Sequence, residues 1–197
     1  MNSADSRFEM VKKRHTETLM NAIKEKKADE LFVPFLKKMA EKKNYFTSSS
    51  CAGRILLLAA LGKGTKKEMY FHKRWHRKVK FSELWKEIEN FNGEKLIFKM
   101  EAFILHLGAR NFEYAEKALK LMKEAGVKKG GIIATKPGKF LIELAGTNAI
   151  SLPVIDNNKI LIEKDFMKYL LKEGNKKLEK NFRFLKKFEK KCLKDLE

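Results

Sequence analysis

Only two cysteines occur in 197 residues, Cys51 and Cys192. They lie too far apart for a metal-ligand spacing or a disulfide framework, which fits a reducing cytosol and predicts no metal. Long apolar runs are missing too. The longest, Ile55 to Leu61, falls well short of the ~20 residues that cross a bilayer. No apolar stretch follows the opening Met1 to Arg7, so no secretory leader is expected. There is no G-x-G-x-x-G after a first strand and no G-x-x-x-x-G-K-[ST] loop; Gly62-Lys63-Gly64-Thr65 resembles the latter but lacks its spacing. A dinucleotide site and a phosphate loop are therefore not indicated. Acidic residues are scarce, 25 Asp+Glu against 44 Lys+Arg. These absences together predict a soluble cytoplasmic protein with no membrane partner.

The formal net charge is +19. A field of that sign concentrates polyanions and speeds their capture, which makes nucleic acid the leading partner class and an anionic membrane surface the lesser one. A charge-rich thermophile surface is the plainer alternative, but balanced ion-pair networks do not need so large an excess of cations. The excess is focused between Lys63 and Lys80, where Lys63, Lys66, Lys67, Lys73, Arg74, Arg77, Lys78 and Lys80 are opposed only by Glu68. Tyr70, Phe71 and Trp75 are interleaved with them. Cations for phosphates and flat rings for unstacked bases suit single-stranded RNA, with Lys73, Arg74, Trp75, Arg77 and Lys78 as candidate contacts. Alternatively the rings alternate into the core and the cations are solvated.

Hydrophobic periodicity predicts a helix over residues 8–26 and a second after Asp29, read as its cap, with Pro34 in an early turn or at a kink. Residues 55–60 read as either a buried strand, which their hairpin-like context favours, or the start of a helix, closed by a turn at Gly62-Lys63-Gly64; a strand is expected at 69–76. Ser82 is read as the cap of a short helix ending at Asn92-Gly93. Two extended stretches broken near Glu101-Ala102 fill 95–107, and Asn111 opens an amphipathic helix that stops at Gly126. Strands follow at 131–135, 140–144, 152–155 and 160–162, with turns at Pro137-Gly138 and Asn157-Asn158. The end is helical from Lys164, with a break at Gly174-Asn175. The expected architecture is α+β: a single domain (1–163) around a mixed, largely antiparallel sheet flanked by helices, with a basic C-terminal helical extension (164–197). In that extension, nine lysines and Arg183 between Lys172 and Lys194 face three glutamates. Its apolar stripe is expected to pack on the body or a partner helix, while its lysines remain able to meet a phosphate backbone without sequence preference.

The segment Tyr45-Phe-Thr-Ser-Ser-Ser-Cys-Ala-Gly-Arg-Ile55 concentrates four hydroxyls, a thiol, a glycine and an arginine between apolar runs. Hydroxyls and backbone N–H groups offer hydrogen bonds, Gly53 permits close backbone approach, and Arg54 supplies a planar cationic fork, all suited to a polar ligand. A serine-rich turn with Cys51 packed as a small hydrophobe fits the same residues.

This segment resembles the signature of the wybutosine-synthesising protein three family. Trp75-His76-Arg77 resembles that family's histidine-bearing segment. Phe98-Lys-Met-Glu-Ala-Phe-Ile-Leu-His106 resembles its second block, with Ala102 at a position usually proline. Gly126-Val-Lys-Lys-Gly-Gly-Ile132 resembles a third block that usually has serine at Gly130. The resemblance runs from about residue 8 to 155 and implies methyl transfer from S-adenosylmethionine to a tricyclic guanosine derivative in phenylalanine tRNA. The acceptor implied is a ring nitrogen beside the anticodon, on a base that already carries an aminocarboxypropyl arm.

Such a reaction needs alignment, a free nitrogen lone pair and a proton acceptor, but no covalent enzyme intermediate. Cys51 is accordingly read as a packing or cofactor-contact residue rather than a nucleophile. His106 and His76 are the acid–base candidates, since imidazole titrates near neutrality. Glu101 is a third candidate, for the proton or for a positive group of the cofactor. Ser49, Ser50, Cys51, Gly53 and Gly131 are candidate cofactor contacts, and Arg54 a carboxylate clamp. His15 is read as a surface residue. A noncatalytic basic tRNA-binding protein is the competing reading.

Overall fold

The computed structural model describes residues 3–61 and 68–196. The expected Gly62-Lys63-Gly64 turn, with Lys63, Lys66 and Lys67, lies outside the described residues. Two units share the chain: one formed from Met1–Ala52, Phe103–Thr147 and Phe182–Glu197, the other from Gly53–Ala102 and Asn148–Asn181.

In the first unit, β1 (Tyr45–Cys51), β5 (Ile104–Ala109), β7 (Lys139–Ala145) and β6 (Lys129–Lys136) form an antiparallel sheet in that spatial order. Strand periodicity sends Tyr45, Leu105, Leu107, Ile142 and Leu144 into one core. There they join Ala115, Ala118, Leu121 and Met122 of α4 (Phe112–Glu124), spaced along one helical face. Burying each large aliphatic side chain stabilises by about 1.5–3 kcal/mol. Asn111 caps α4 as expected, its Oδ1 accepting from Tyr114 N–H at 3.1 Å. The Tyr45 hydroxyl donates to the Tyr114 carbonyl at 3.0 Å and ties α4 to β1.

The opposite sheet face meets α1 (Ser3–Lys24), whose Phe8 and Val11 pack with Phe46. Phe46 pairs with Gly108, where an added Cβ would stand 2.0 Å from the phenyl ring, so only glycine fits. Asp29 is not the cap it was expected to be. Helix α2 (Val33–Glu41) begins four residues later, with Pro34 in its first turn, and the Asp29 carboxylate accepts instead from Leu31 N–H at 3.3 Å and Ala52 N–H at 2.7 Å.

The second unit holds a five-stranded antiparallel sheet. Its order is β3 (Met69–Trp75), β2 (Arg54–Ala60), β4 (Lys95–Glu101), β8 (Ile150–Asp156) and β9 (Lys159–Ile160). Asn157 and Asn158 take positive φ, 50° and 58°, the geometry of a two-residue hairpin turn. Helix α3 (Phe81–Glu89) starts before Ser82, and Glu83 rather than Ser82 serves its first turn by accepting from Lys80 N–H at 3.1 Å.

Helix α5 (Lys164–Asp195) runs through Gly174-Asn175 without the expected break. Asn175 is held from outside its own helix: its Oδ1 accepts from Val79 N–H at 3.0 Å and its Nδ2 donates to Val79 O at 2.9 Å. Those two bonds offset the poor helix propensity of the pair. The α+β class and the antiparallel strands are as expected. The strands form two sheets, because the chain leaves one for the other at Ala52-Gly53 and again between Glu101 and Ile104.

Candidate active site

Pairing register sets the polar face of the first sheet. His106 on β5 stands opposite Glu143 on β7, and Glu143 opposite Gly131 on β6. On the other side, the β1 ladder slips between Thr47 and Ser50, so the bulged Ser48-Ser49 lies level with His106. Cys51 pairs with Ile104, two residues from His106, and so shares its face. Four expected site residues (Ser49, Cys51, His106 and Gly131) thus share a band across four strands, roughly 14 Å wide at the usual strand spacing.

On the two central strands the alternate residues Leu105, Leu107, Ile142 and Leu144 are fully buried, which anchors the middle of the band. Within it, His106 Nε2 lies 3.0 Å from Glu143 Oε2, with side-chain exposures of 19% and 32%. A Cβ added at Gly131 would meet nothing within 4 Å. At Gly130 it would stand 2.5 Å from the Glu143 carbonyl oxygen and 2.7 Å from Met122 Sδ. Gly130 therefore serves packing, while Gly131 leaves open space beside the His106–Glu143 pair.

A cleft of about 480 Å³ opens at the free edge of β1. Arg14, His15, Thr18 and Lys27 line it from the helical side, and Thr47, Ser48, Ser49 and Ser50 from the strand. The signature hydroxyls are thus strand residues at a sheet edge rather than a turn. His15, expected on the surface, is half-buried and stacks on Phe46 with ring centroids 4.9 Å apart and planes 9° apart. Burial first, then the positive charges of Lys139 and Arg14, push its imidazole below the usual histidine range and keep it neutral.

In the second unit, Arg54 does not present an open fork. Its Nε and Nη2 donate to Glu101 Oε2 at 2.9 and 2.8 Å, while Lys99 Nζ lies 3.2 Å from Oε1. Half-burial pushes the Glu101 carboxyl up, but Arg54 and Lys99 outweigh it and hold the group below the usual carboxylate range. The lowered carboxyl makes Glu101 a weaker base, and two of the Arg54 guanidinium nitrogens are already engaged with it. The Arg54 guanidinium also lies 4.7 Å from the Phe71 ring, and that of Arg74 5.5 Å.

Trp75, expected to face RNA, is 7% exposed, whereas Tyr70 and Phe71 are 45% and 46% exposed. The β2–β3 register slips between Leu57 and Leu58, so the alternation that buries Trp75 does not carry through to Phe71. Lys73 lies 3.4 Å from Glu87 and Lys78 3.1 Å from Glu179. Arg77 grips Glu83 with two bonds, which hold that carboxyl down to about 2. His76 follows β3 in a bend, half-buried, and Gly53 precedes β2 with φ of 97°. Both belong to the second unit, as do Glu101 and Arg54, while His106, Ser49, Ser50, Cys51 and Gly131 belong to the first.

A family model described as Methyltransferase TYW3 matches residues 9–194. The chain belongs to the TYW3 methyltransferase family. A Pyrococcus abyssi relative, 34% identical over 182 residues (92% of this chain and 94% of the relative), is named tRNA(Phe) 7-((3-amino-3-carboxypropyl)-4-demethylwyosine(37)-N(4))-methyltransferase 1. A Methanocaldococcus jannaschii relative bearing the same name without the final numeral is 30% identical, covering 83% of this chain and 86% of its own length. Among solved structures, the PH1069 protein of Pyrococcus horikoshii superimposes with a TM-score of 0.89 at 29% identity, covering 95% of this chain and 96% of that one.

Sequence reasoning passed over Glu143, Arg14 and Lys27 in this TYW3 chain and read His15 as a surface residue. Glu143 carried a usable signal: it interrupts the apolar run Phe140-Leu-Ile-Glu-Leu144 just as His106 interrupts Phe103-Ile-Leu-His-Leu107. His15 carried none, since its role follows from where α1 crosses Phe46. Among the described residues no helix is long and apolar enough to cross a membrane.

Proposed function

We propose that this protein transfers the methyl group of S-adenosylmethionine to a ring nitrogen of aminocarboxypropyl-demethylwyosine, near the anticodon of phenylalanine tRNA. The observation that carries the proposal is the shared band of Ser49, Cys51, His106 and Gly131 next to the hydroxyl-lined cleft. Family membership and the names of the relatives support the reaction class and the substrate.

The residues fit a sulfonium nucleoside with an amino-acid tail. The cleft is within the range of small-molecule sites. Ser48, Ser49 and Ser50 would supply hydroxyls to the cofactor, Arg14 and Lys27 would meet its carboxylate, and Gly131 leaves room for close approach. When bound, the sulfonium provides an electrophilic methyl. One N–C bond forms, one S–C bond breaks, and the acceptor nitrogen sheds a proton. His106 takes that proton, because Glu101 is committed to Arg54 and Lys99. Tyr70, Phe71 and Arg74 on the exposed edge strand β3 contact the tRNA, the rings stacking on unpaired bases.

The test is transfer of labelled methyl to two tRNA preparations, one carrying the unmethylated tricyclic intermediate and one fully modified. Label entering only the first supports the proposal. Tight binding of both tRNAs, with no label transferred and no binding of S-adenosylmethionine, would overturn it in favour of a noncatalytic RNA-binding protein.

A further inference from the structure

We infer that Glu143 is a positioning residue for His106, fixing the imidazole tautomer so that Nδ1 is the nitrogen presented to substrate. The inference rests on the reading of His106 as proton acceptor and adds a second residue, with a defined job, to the reaction.

Each polar residue is the fourth of five in an otherwise apolar run, Phe103-Ile-Leu-His-Leu107 and Phe140-Leu-Ile-Glu-Leu144. In each run the leucine on either side of the polar residue, or the isoleucine and leucine, is buried in the core behind the sheet (Leu105 and Leu107, Ile142 and Leu144, all 0% exposed). Such anchoring leaves the His106 and Glu143 side chains little freedom to slide along their strands. The direct cross-strand register then sets them side by side.

At 3.0 Å the two atoms are at hydrogen-bond distance. An ionised carboxylate only accepts, so the proton in this bond belongs to the ring: His106 Nε2–H donates to Glu143 Oε2. A neutral imidazole carries one N–H, and the remaining nitrogen, Nδ1, keeps its lone pair. The carboxylate also stabilises the imidazolium formed once Nδ1 has taken the substrate proton. It does not itself need to gain a proton.

The surroundings support a ligand-facing role over a purely structural one. A pair needed only to join β5 to β7 has no use for free space, since the ladder already bonds the strands. Yet the next position in the row is Gly131, whose missing side chain leaves 4 Å clear. On the other flank, the bulge turns Ser48-Ser49 out of regular pairing. Both neighbours of the pair are thus opened rather than filled.

The experiment combines two readouts on the full-length protein. The first is ¹⁵N NMR of histidine-labelled protein near neutral pH, with the His106 signals assigned by their loss in H106A. The expected result is a proton on Nε2 and an unprotonated Nδ1. A proton resident on Nδ1 in the neutral ring would overturn the inference whatever any variant does. The second is steady-state methyl transfer by E143A. Its kcat should fall roughly 10–100-fold, with KM for tRNA within a few-fold of wild type and the Nε2–H preference lost. Turnover lost in H106A but untouched in E143A would overturn the positioning role alone. Turnover untouched in H106A would overturn the proton-acceptor reading beneath it, so the two failures are separable. If E143A does not fold, the wild-type tautomer still decides the matter.

Discussion

Glu101 and Glu143 occupy closely similar settings and acquire different chemistry. Each is a carboxylate on an interior antiparallel strand, and each faces a basic side chain across one ladder. Glu101 faces Arg54, whose guanidinium keeps its charge at any working pH, and Lys99 engages its second oxygen. Glu143 faces an imidazole, a ring whose two nitrogens can each donate or accept a hydrogen bond. The first pair is closed, with both partners committed and the arginine laid over Phe71. The second has open space on one flank and bulged hydroxyls on the other. A carboxylate's identity and burial therefore do not reveal whether it serves structure or reaction; its partner's ability to exchange a proton does.

The sharpest way to break this comparison is to remove the exchangeable partner. H106A should reduce methyl transfer by roughly 10²–10⁴-fold, the usual contribution of a positioned acid–base group. Its affinity for tRNA should stay within a few-fold of wild type. Single-turnover kinetics beside an equilibrium binding assay measure both. A proportionate loss of both would reduce His106 to the structural rank of Arg54. Removing the fixed partner should do the reverse. R54A leaves Glu101 half-buried with only Lys99 beside it, and should cost about 1–3 kcal/mol of stability in urea unfolding. Its kcat at saturating tRNA should change little.

A smaller effect concerns the ring that Arg54 supports. If Phe71 stacks on an unpaired base, F71A should weaken tRNA binding about tenfold, the lower part of the range for one base–aromatic stack. Because phenylalanine carries no charge, the salt dependence of binding should be unchanged, whereas R74A should reduce the slope of log K against log salt by about one. Equal slopes in both variants would remove Arg74 from the phosphate contacts.

Much of this was legible in the sequence, and the failures share a cause. The two pairs differ in how visible they were. Glu101, Arg54 and His106 lie in recognisable blocks, yet their partners follow from strand pairing, which no local pattern encodes. His106 was singled out because its block resembled a known one; Glu143 interrupts an equally apolar strand but needed the β5–β7 register to acquire meaning. Phe71 is parted from Trp75 by a one-residue slip in the β2–β3 ladder, which sends side chains before and after it to different faces, so Trp75 is buried while Phe71 is exposed. Gly174-Asn175 is a fair helix-ending signal, overruled by two hydrogen bonds to Val79, far away in sequence. The serine block was read as ligand-suited from its composition, while its strand conformation depends on pairing with β5. Alternation and caps are local; register and long-range bonds are not.

The smallest predicted effect isolates the closed pair from all catalysis. Glu101 is held below the ordinary carboxylate range in the folded protein, so the folded state binds its proton less readily than the unfolded chain does. Its contribution to stability is therefore complete above the unfolded value, about 4.3, and is lost as pH falls through the folded value. Stability of the wild-type protein should drop over that acid interval, and E101Q, which has no proton to bind there, should lose correspondingly less. Near neutral pH, E101Q should be less stable by about 1–2 kcal/mol, since a neutral amide replaces a charge-assisted partner of Arg54. Chemical unfolding of the two proteins at several pH values measures the difference. A gap that widened on acidification would reverse the sign and show that Arg54 and Lys99 do not outweigh the cost of half-burying the carboxylate. The gap should close as pH falls, and it should do so without any change in the neutral-pH turnover number.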